Sequence, residues 1–301
     1  MAGIIREITT SMRPAQWVKN LFVVAPVLFA KKRVLSGEFE VVVEALLAFA
    51  AFIFVSGAIY ILNDIMDSEN DRLHPVKKFR PIPAGRLSIN AAIFGAGILL
   101  SAAMIIGLSI GKNFLLAASL YLLLNAAYSF YMKKFAYVDV TCIAAGFMLR
   151  IIAGCFAIEL PVSEISYWLL LCTFLLALFL GLGKRRHELL ISDENSLNHR
   201  SSLRQYSSGS LNIMMYVIAV ITILAYFSYT ISGRTIEYFG TGNLVFTVPF
   251  VGFGLYRFMK IVHTHKEAVS ATDVMVKDVP LVVNIILWGA TALWVIYFQH
   301  G

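Results

Sequence analysis

Residues 41 to 62 read VVVEALLAFAAFIFVSGAIYIL and run without a break into NDIMDSEND, residues 63 to 71. The first stretch is long enough to cross a lipid bilayer, which takes about 20 predominantly apolar residues in an α-helix. The second stretch carries four carboxylates, although only 14% of all residues in the chain are charged. This junction predicts a transmembrane helix with a dense acidic segment at one of its ends.

The whole chain has the composition of a polytopic membrane protein. Of its 301 residues, 59% are hydrophobic, and the mean hydropathy is +0.76, whereas roughly a quarter of the residues of soluble domains are charged. Long apolar runs predict an all-α bundle of about nine transmembrane helices, at residues 14–30, 41–62, 89–110, 113–132, 139–158, 165–183, 210–230, 243–260 and 280–298. The first run has the shortest uninterrupted apolar stretch, so a re-entrant or interfacial segment is the alternative there.

The distribution of Lys and Arg predicts the orientation, because cytoplasmic loops retain these residues. With the N-terminus inside, nineteen of the 25 Lys and Arg residues lie on the cytoplasmic side, five lie outside, and Arg150 falls within a span. We therefore expect a multi-pass protein of the cell inner (plasma) membrane, with the N-terminus cytoplasmic and the C-terminus outside. We also expect a single domain over residues 1–301, with an acidic loop at 63–88 and a basic loop at 184–209 facing the cytoplasm. Nucleic acid is not an expected partner, because the basic residues are scattered over separate loops.

The acidic segment has the pattern of a divalent metal site. If the helix continues past Leu62, Asp64, Asp67 and Asp71 fall within about 60° of one another, and Asn63 lies about 40° from Asp67. Carboxylates crowded on one face repel each other, and a cation relieves the repulsion. Magnesium is favoured because it commonly binds one or two carboxylates plus substrate phosphates, whereas zinc prefers His or Cys and calcium needs more ligands.

The loop that follows predicts a phosphate site beside the metal. Its basic residues include Lys77 and Arg80, and its prolines and Gly85 break any helix, so the loop can fold these cations back over the carboxylates. A solvated acidic helix end that pairs with Lys77, Lys78 and Arg80 is the structural alternative.

These motifs resemble the UbiA superfamily of intramembrane prenyltransferases, whose first signature NDxxDxxxD matches Asn63, Asp64, Asp67 and Asp71. The segments MRPAQWVKNLFVVAP (12–26), YSFYMKKFAYVDV (128–140), GFMLRIIAG (146–154) and GLGKRRHEL (181–189) are similar to the branch of decaprenyl-phosphate phosphoribosyltransferases. The resemblance implies a helical bundle with a cytoplasm-facing cavity. It also implies a phosphoribosyl diphosphate donor, a long polyprenyl phosphate acceptor, and Mg²⁺ held by the first motif.

One departure from the superfamily narrows the expected reaction. In the superfamily, enzymes that use prenyl diphosphates have a second acidic motif after the sixth helix, where this chain has Lys184, Arg185, Arg186, His187 and Glu188 instead. Cations at that position suit the two monophosphates of a ribosyl transfer. Prenyl transfer from a prenyl diphosphate to an aromatic or other acceptor is the alternative activity, and a transporter or flippase is the alternative outside the enzymes.

The residues expected at the site follow from the motif and from the resemblance. Asp64, Asp67 and Asp71 are the expected catalytic residues, and with Asn63 they are the expected metal ligands. The expected substrate-binding residues are Lys19, Asn63, Lys77, Arg80, Tyr128, Lys133, Asp139, Arg150, Lys184 and Arg185. For Arg150 a structural pairing with an acidic neighbour is an equal alternative to a phosphate contact, and a homo-oligomer is left open.

Overall fold

The structure is a computed structural model that describes residues 2–30, 33, 36–161, 165–191, 202–264 and 277–298, and these residues contain helices and turns but no strands. The middle of the predicted basic loop, residues 192–201, lies outside the described residues. The α-helices are α1 (Ala2–Ser11), α2 (Leu21–Val24), α3 (Glu40–Met66), α4 (Ser68–Leu73), α5 (Ile89–Ile110), α6 (Lys112–Phe130), α7 (Val138–Ala157), α8 (Tyr167–Ile191), α9 (Ser208–Ile231), α10 (Gly233–Phe239), α11 (Val248–Thr264) and α12 (Val279–Phe298). Short 3₁₀ segments lie at Pro14–Asn20, Ala25–Phe29, Lys77–Phe79, Met132–Lys134, Leu203–Gln205 and Asn243–Thr247.

Eight helices in the described part of the chain are long and apolar enough to cross a membrane. They are α3, α5, α6, α7, α8, α9, α11 with the 3₁₀ segment before it, and α12. These eight confirm the all-α membrane fold and correspond to the second to ninth predicted spans.

The first predicted span, residues 14–30, differs from a continuous transmembrane helix. It consists of the Pro14–Asn20 3₁₀ segment, the short helix α2 and the Ala25–Phe29 3₁₀ segment. A proline stands at the start of each 3₁₀ segment. Because proline has no backbone N–H to donate, a regular i to i−4 ladder does not continue through Pro14 or Pro26.

Residue contacts divide the chain into two compact units, which are Met1–Met132 with Ala145–Ile165, and Lys133–Ala144 with Ser166–Gly301. Helix α7 contributes its first residues to the second unit and the rest to the first. The single domain over residues 1–301 remains a prediction.

The core of the first unit forms around α3. Phe52, which is fully buried, packs edge-on against Phe114 of α6 at a centroid distance of 6.0 Å and lies tilted against the Tyr121 ring at 5.2 Å. Helix α7 approaches α2 so closely at Gly154 that any Cβ there would collide with the Val23 carbonyl. These contacts hold the N-terminal segment against the long helices of this unit.

The second unit has its own core. Phe179 of α8 and Phe258 of α11 are fully buried, with ring centroids 5.3 Å apart. Leu182, Leu211 and Met215 complete this cluster. The cluster fixes the C-terminal half of α8, on which the predicted basic motif lies.

Candidate active site

The acidic segment extends helix α3 almost without interruption. Helix α3 ends at Met66, Asp67 adopts φ −92° and ψ 3°, and α4 resumes at Ser68. The Asp67 N–H still donates to the Asn63 carbonyl at 2.9 Å, and the Asp71 N–H donates to the Asp67 carbonyl at 2.8 Å. Because these i to i−4 bonds cross the break, the carboxylates keep close to the helical spacing that the sequence predicts.

Asp64 and Asp71 converge on one guanidinium. Arg80 Nη1 lies 3.1 Å from Asp64 Oδ1 and 2.6 Å from Asp71 Oδ2. The Lys77 ammonium lies 3.6 Å from Asp71 Oδ1. Asp64 and Asp71 are only 1% and 3% exposed, whereas Asn63 and Asp67 are half-buried. The structure thus brings two predicted carboxylates and two predicted cations into one cluster, which we call the Asp64–Asp71 cluster.

The loop after α4 is shaped so that its cations return to the carboxylates. Ile82 and Leu87 are buried in a core cluster with Ile61 of α3. Gly85 has a positive φ of 73°, a conformation that glycine adopts without the steric cost of a Cβ atom. The Leu87 N–H donates to the Pro81 carbonyl at 3.1 Å. These anchors place Arg80 over Asp64 and Asp71, as the sequence predicts for this loop.

Arg13 is a member of the cluster that the sequence reasoning did not include. Its guanidinium donates to Asp64 Oδ1, and it lies over the Tyr60 ring at 4.9 Å from the ring centroid. Arg13 adopts a left-handed conformation, φ 54° and ψ 70°, directly before Pro14. Its place in the RPAQW motif was the available signal, but no spacing in the sequence relates residue 13 to residue 64.

The donor set of the cluster fits a magnesium ion that is bound partly by substrate. No group of three or more His, Cys, Asp or Glu residues converges within the described residues. Two carboxylates that meet at one cationic atom do supply the one or two protein ligands that Mg²⁺ takes when phosphate oxygens provide the rest. Asp64 and Asp71 are the residues that would hold it, and their burial argues against a merely solvated helix end.

Arg150 lies in a different buried cluster of the first unit. Its Nε donates to Asn20 Oδ1 at 3.0 Å, Nη1 donates to the Gly146 carbonyl at 3.2 Å, and Nη2 donates to Tyr121 Oη at 2.6 Å. Within the described residues no carboxylate pairs with Arg150. Lys19 is half-buried next to Asn20, and Tyr128 is half-buried near the end of α6. The substrate roles of Lys19 and Tyr128 remain predictions.

In the second unit, Asp139 and Arg185 form a buried ion pair. Asp139 Oδ2 lies 2.7 Å from Arg185 Nε, and Arg185 Nη1 lies 2.5 Å from Glu188 Oε2. Asp139 Oδ1 accepts from the Tyr206 hydroxyl and from the Val140 N–H. Lys133 and Lys184 are half-buried in the same unit. The second unit therefore contains Lys133, Asp139, Lys184 and Arg185, while the other predicted site residues belong to the first.

Comparison with known proteins gives a consistent set of relatives. The sequence model described as the UbiA prenyltransferase family matches residues 21–277. A decaprenyl-phosphate phosphoribosyltransferase of Mycolicibacterium smegmatis is 32% identical over 225 residues, covering 74% of this chain and 70% of that protein. A protein of the same name from Mycobacterium tuberculosis strain H37Rv is 30% identical over 257 residues, covering 84% of each chain.

The fold is also found among solved structures. A UbiA homolog from Archaeoglobus fulgidus, solved with DMAPP and Mg²⁺, superposes with a TM-score of 0.71 at 18% identity. The match covers 97% of this chain and all of that chain. At this identity the superposition shows the fold.

Proposed function

Because this chain belongs to the UbiA prenyltransferase family, we propose that it transfers the 5-phosphoribosyl group of phosphoribosyl diphosphate to a polyprenyl (decaprenyl-type) phosphate. Diphosphate is released, and the product is a glycolipid for the cell envelope. The names of the mycobacterial relatives support this choice of donor and acceptor. The same names support a transferase, and the eight apolar helices support a site at the membrane.

One structural observation carries the proposal, namely the gathering of Arg13, Lys77 and Arg80 around the carboxylates of Asp64 and Asp71. Carboxylates for a metal, with guanidinium and ammonium groups beside them, form a site for a polyanion such as diphosphate. The donor's leaving group is a diphosphate. The cluster is therefore suited to binding the donor and to stabilising its departing charge.

The chemistry assigned to these residues is charge stabilisation and positioning. An oxygen of the lipid phosphate attacks the anomeric carbon of the ribose, and the bond from that carbon to the diphosphate oxygen breaks. The attacking phosphate is already anionic at neutral pH, so no general base is needed. Lys77 and Arg80 bind diphosphate oxygens and balance the charge that grows on them as the bond breaks.

Magnesium is the proposed metal. When bound, it would supply positive charge to the leaving diphosphate. Asp64 and Asp71 would bind this ion through their buried carboxylates, and they hold Arg80 and Lys77 beside it. The half-buried Asn63 and Asp67 are proposed as further ligands, since they lie on the same helix end.

Prenyl transfer from a prenyl diphosphate is the second candidate, because the matched family is a prenyltransferase family. It would use the same diphosphate site. The cationic segment at Lys184 to Arg186 favours ribosyl transfer, since a second acidic motif is missing there.

Membranes containing the overproduced protein distinguish the two activities. Incubation with radiolabelled phosphoribosyl diphosphate and polyprenyl phosphate should give a labelled, Mg²⁺-dependent glycolipid. Incubation with a radiolabelled prenyl diphosphate and hydroxybenzoate should give no prenylated product. The reverse pattern would replace the proposed reaction with prenyl transfer.

The proposed location is the inner membrane, with the Asp64–Asp71 cluster facing the cytoplasm. The excess of Lys and Arg on one side supports this orientation. A C-terminus outside additionally requires that the interrupted segment at 14–29 crosses the membrane. Labelling of single cysteines introduced at each terminus in intact cells tests both statements.

A further inference from the structure

One carboxylate oxygen of the Asp64–Asp71 cluster is shared by two arginines. Arg13 Nη2 and Arg80 Nη1 both donate to Asp64 Oδ1. The Asp64 side chain is 2% exposed, while both arginine side chains are 30% exposed. The two guanidiniums thus lie between a buried carboxylate and the exposed side of the cluster.

The backbone of Arg13 is held in an uncommon conformation that aims its side chain at Asp64. The Arg13 N–H donates to the Thr10 carbonyl at 3.1 Å, and the Gln16 N–H donates to the Arg13 carbonyl at 2.8 Å. A left-handed conformation is unfavourable for a residue with a Cβ atom, and such residues occur preferentially at functional sites. The Arg13 guanidinium also stacks on the Tyr60 ring, with its Cζ atom 4.9 Å from the ring centroid.

The contact between Arg13 and Asp64 competes with metal binding. Oδ1 of Asp64 already accepts from two cationic donors, so a metal ion that takes this oxygen must displace at least one of them. Arg80 has a second anchor on Asp71 at 2.6 Å. Arg13 has no other carboxylate partner among the described residues, so it is the donor that can leave Asp64 at the smaller cost.

We propose that Arg13 exchanges partners, neutralising Asp64 in the ligand-free protein and donating to an oxygen of the donor diphosphate once the metal binds Asp64. The exchange rests on the proposed function only in that the ligand carries a diphosphate. A displaced guanidinium beside a metal and a diphosphate finds the bidentate acceptor that it favours. Arg13 is thereby a third diphosphate-binding cation, contributed by the N-terminal segment.

The exchange predicts two opposite effects of one substitution. In Arg13→Gln, binding of Mn²⁺ alone, measured by electron paramagnetic resonance on purified protein, should tighten by about threefold or more because a competing cation is gone. Binding of inorganic diphosphate at saturating Mn²⁺, measured by calorimetry, should weaken by about tenfold because a charge-assisted hydrogen bond is lost. A residue that only supports the fold would weaken both.

Arg72→Gln is the matched control. Arg72 is exposed in α4, close to the same carboxylates, and forms no ion pair among the described residues. Its substitution removes the same charge from the neighbourhood, and we expect both affinities to change by less than about twofold. Equal effects of the two substitutions would overturn the exchange, because they would indicate a general loss of positive potential.

A second variant keeps the test decisive if Arg13→Gln does not fold. Arg13→Lys retains the charge but not the planar fork, and we expect weaker diphosphate binding with Mn²⁺ binding close to that of the unmodified protein. Weaker Mn²⁺ binding in either variant, or no Mn²⁺ binding by the unmodified protein, contradicts the exchange. These readouts need no turnover, so a protein that prenylates instead of ribosylating would refute the proposed function and leave the exchange standing.

Discussion

Asp139 and Arg185 form an ion pair in which both side chains are almost completely excluded from solvent, at 0% and 1% exposure. Asp139 Oδ2 faces Arg185 Nε at 2.7 Å. The other oxygen of Asp139 accepts from Tyr206 and from its own helix at Val140. Both groups are therefore engaged within the second unit, and neither presents a charge to a ligand in this arrangement.

We expect Asp139→Asn to lower the free energy of unfolding by about 3 kcal/mol, because removing one member of a buried pair leaves the other charge uncompensated. Thermal unfolding in detergent measures the change. Glu188→Gln is the control, since the Glu188 side chain is 25% exposed and its pairing should contribute about 1 kcal/mol or less. An Asp139→Asn variant of normal stability that no longer ribosylates lipid would instead establish a substrate role.

The sequence marked Asp139, Arg150 and Arg185 as candidate site residues but could not show whether each binds a substrate or another side chain. A charge inside an apolar span is costly, so Asp139 and Arg150 were recognisable from position alone. Whether such a charge binds a ligand or another side chain depends on contacts between residues far apart in the chain. Asp139 and Arg185 are 46 positions apart, and their pairing follows from packing that periodicity does not encode.

The acidic motif was more predictable because its geometry is local. Asp64, Asp67 and Asp71 lie on a helix end that is interrupted only at Asp67 and keeps its i to i−4 hydrogen bonds there, so a step of about 100° per residue sufficed to group them. Arg80 follows within the same loop. Arg13 was missed because it reaches Asp64 from the N-terminal segment, and the prolines that interrupt that segment also made the predicted first span differ from the observed short helices.

Asp64→Asn and Asp67→Asn should each lower the rate of glycolipid formation by at least about 100-fold, because a neutral amide is a poor magnesium ligand. Asp64→Asn should remain folded, since the two arginines at Asp64 are partly exposed and retain access to solvent. Glu69→Gln is the control, because Glu69 is an exposed carboxylate of α4. Rates are measured over a range of Mg²⁺ concentrations, and unchanged rates in both Asp variants would remove the metal role of this motif.

Tyr206 should make the stability of the protein depend on pH. Burial raises the pKa of the Tyr206 phenol, and its hydrogen bond to the Asp139 carboxylate raises this pKa further. A group whose pKa is higher in the folded state stabilises it fully below the unfolded pKa, and the contribution is lost as the pH rises above about 10. The unfolding temperature of the unmodified protein should therefore decline above this pH.

Tyr206→Phe should remove part of that decline and lower stability by about 2 kcal/mol at neutral pH, because the hydroxyl donates to the charged Asp139 carboxylate and accepts from the Tyr137 N–H, and both hydrogen bonds are lost. The measurement is the unfolding temperature between about pH 8 and pH 11. Tyr216→Phe is the control, since Tyr216 is 57% exposed. An identical pH dependence in both variants would show that other groups cause the decline.

Asn20 accepts one of the three hydrogen bonds that the Arg150 guanidinium donates. Its Oδ1 accepts from Arg150 Nε at 3.0 Å, and its Nδ2 donates to Ser56 Oγ at 3.1 Å. All three residues are buried. Asn20→Leu keeps a similar volume but leaves a buried guanidinium nitrogen without its acceptor, so we expect a loss of about 3 kcal/mol in the free energy of unfolding. Asn90→Ala, an exposed asparagine in α5, should change stability by less than about 0.5 kcal/mol.

Asn20→Asp separates the two roles left open for Arg150. A carboxylate at position 20 would pair with the guanidinium, so the protein should stay folded in detergent. If Arg150 serves only the packing of α7 against the N-terminal segment, the rate of lipid ribosylation should also be retained. If Arg150 contacts a phosphate, the new carboxylate would neutralise it and raise the KM for the phosphorylated substrate by about tenfold. Because Arg150 already donates to three neutral acceptors in the first unit, we expect the first result.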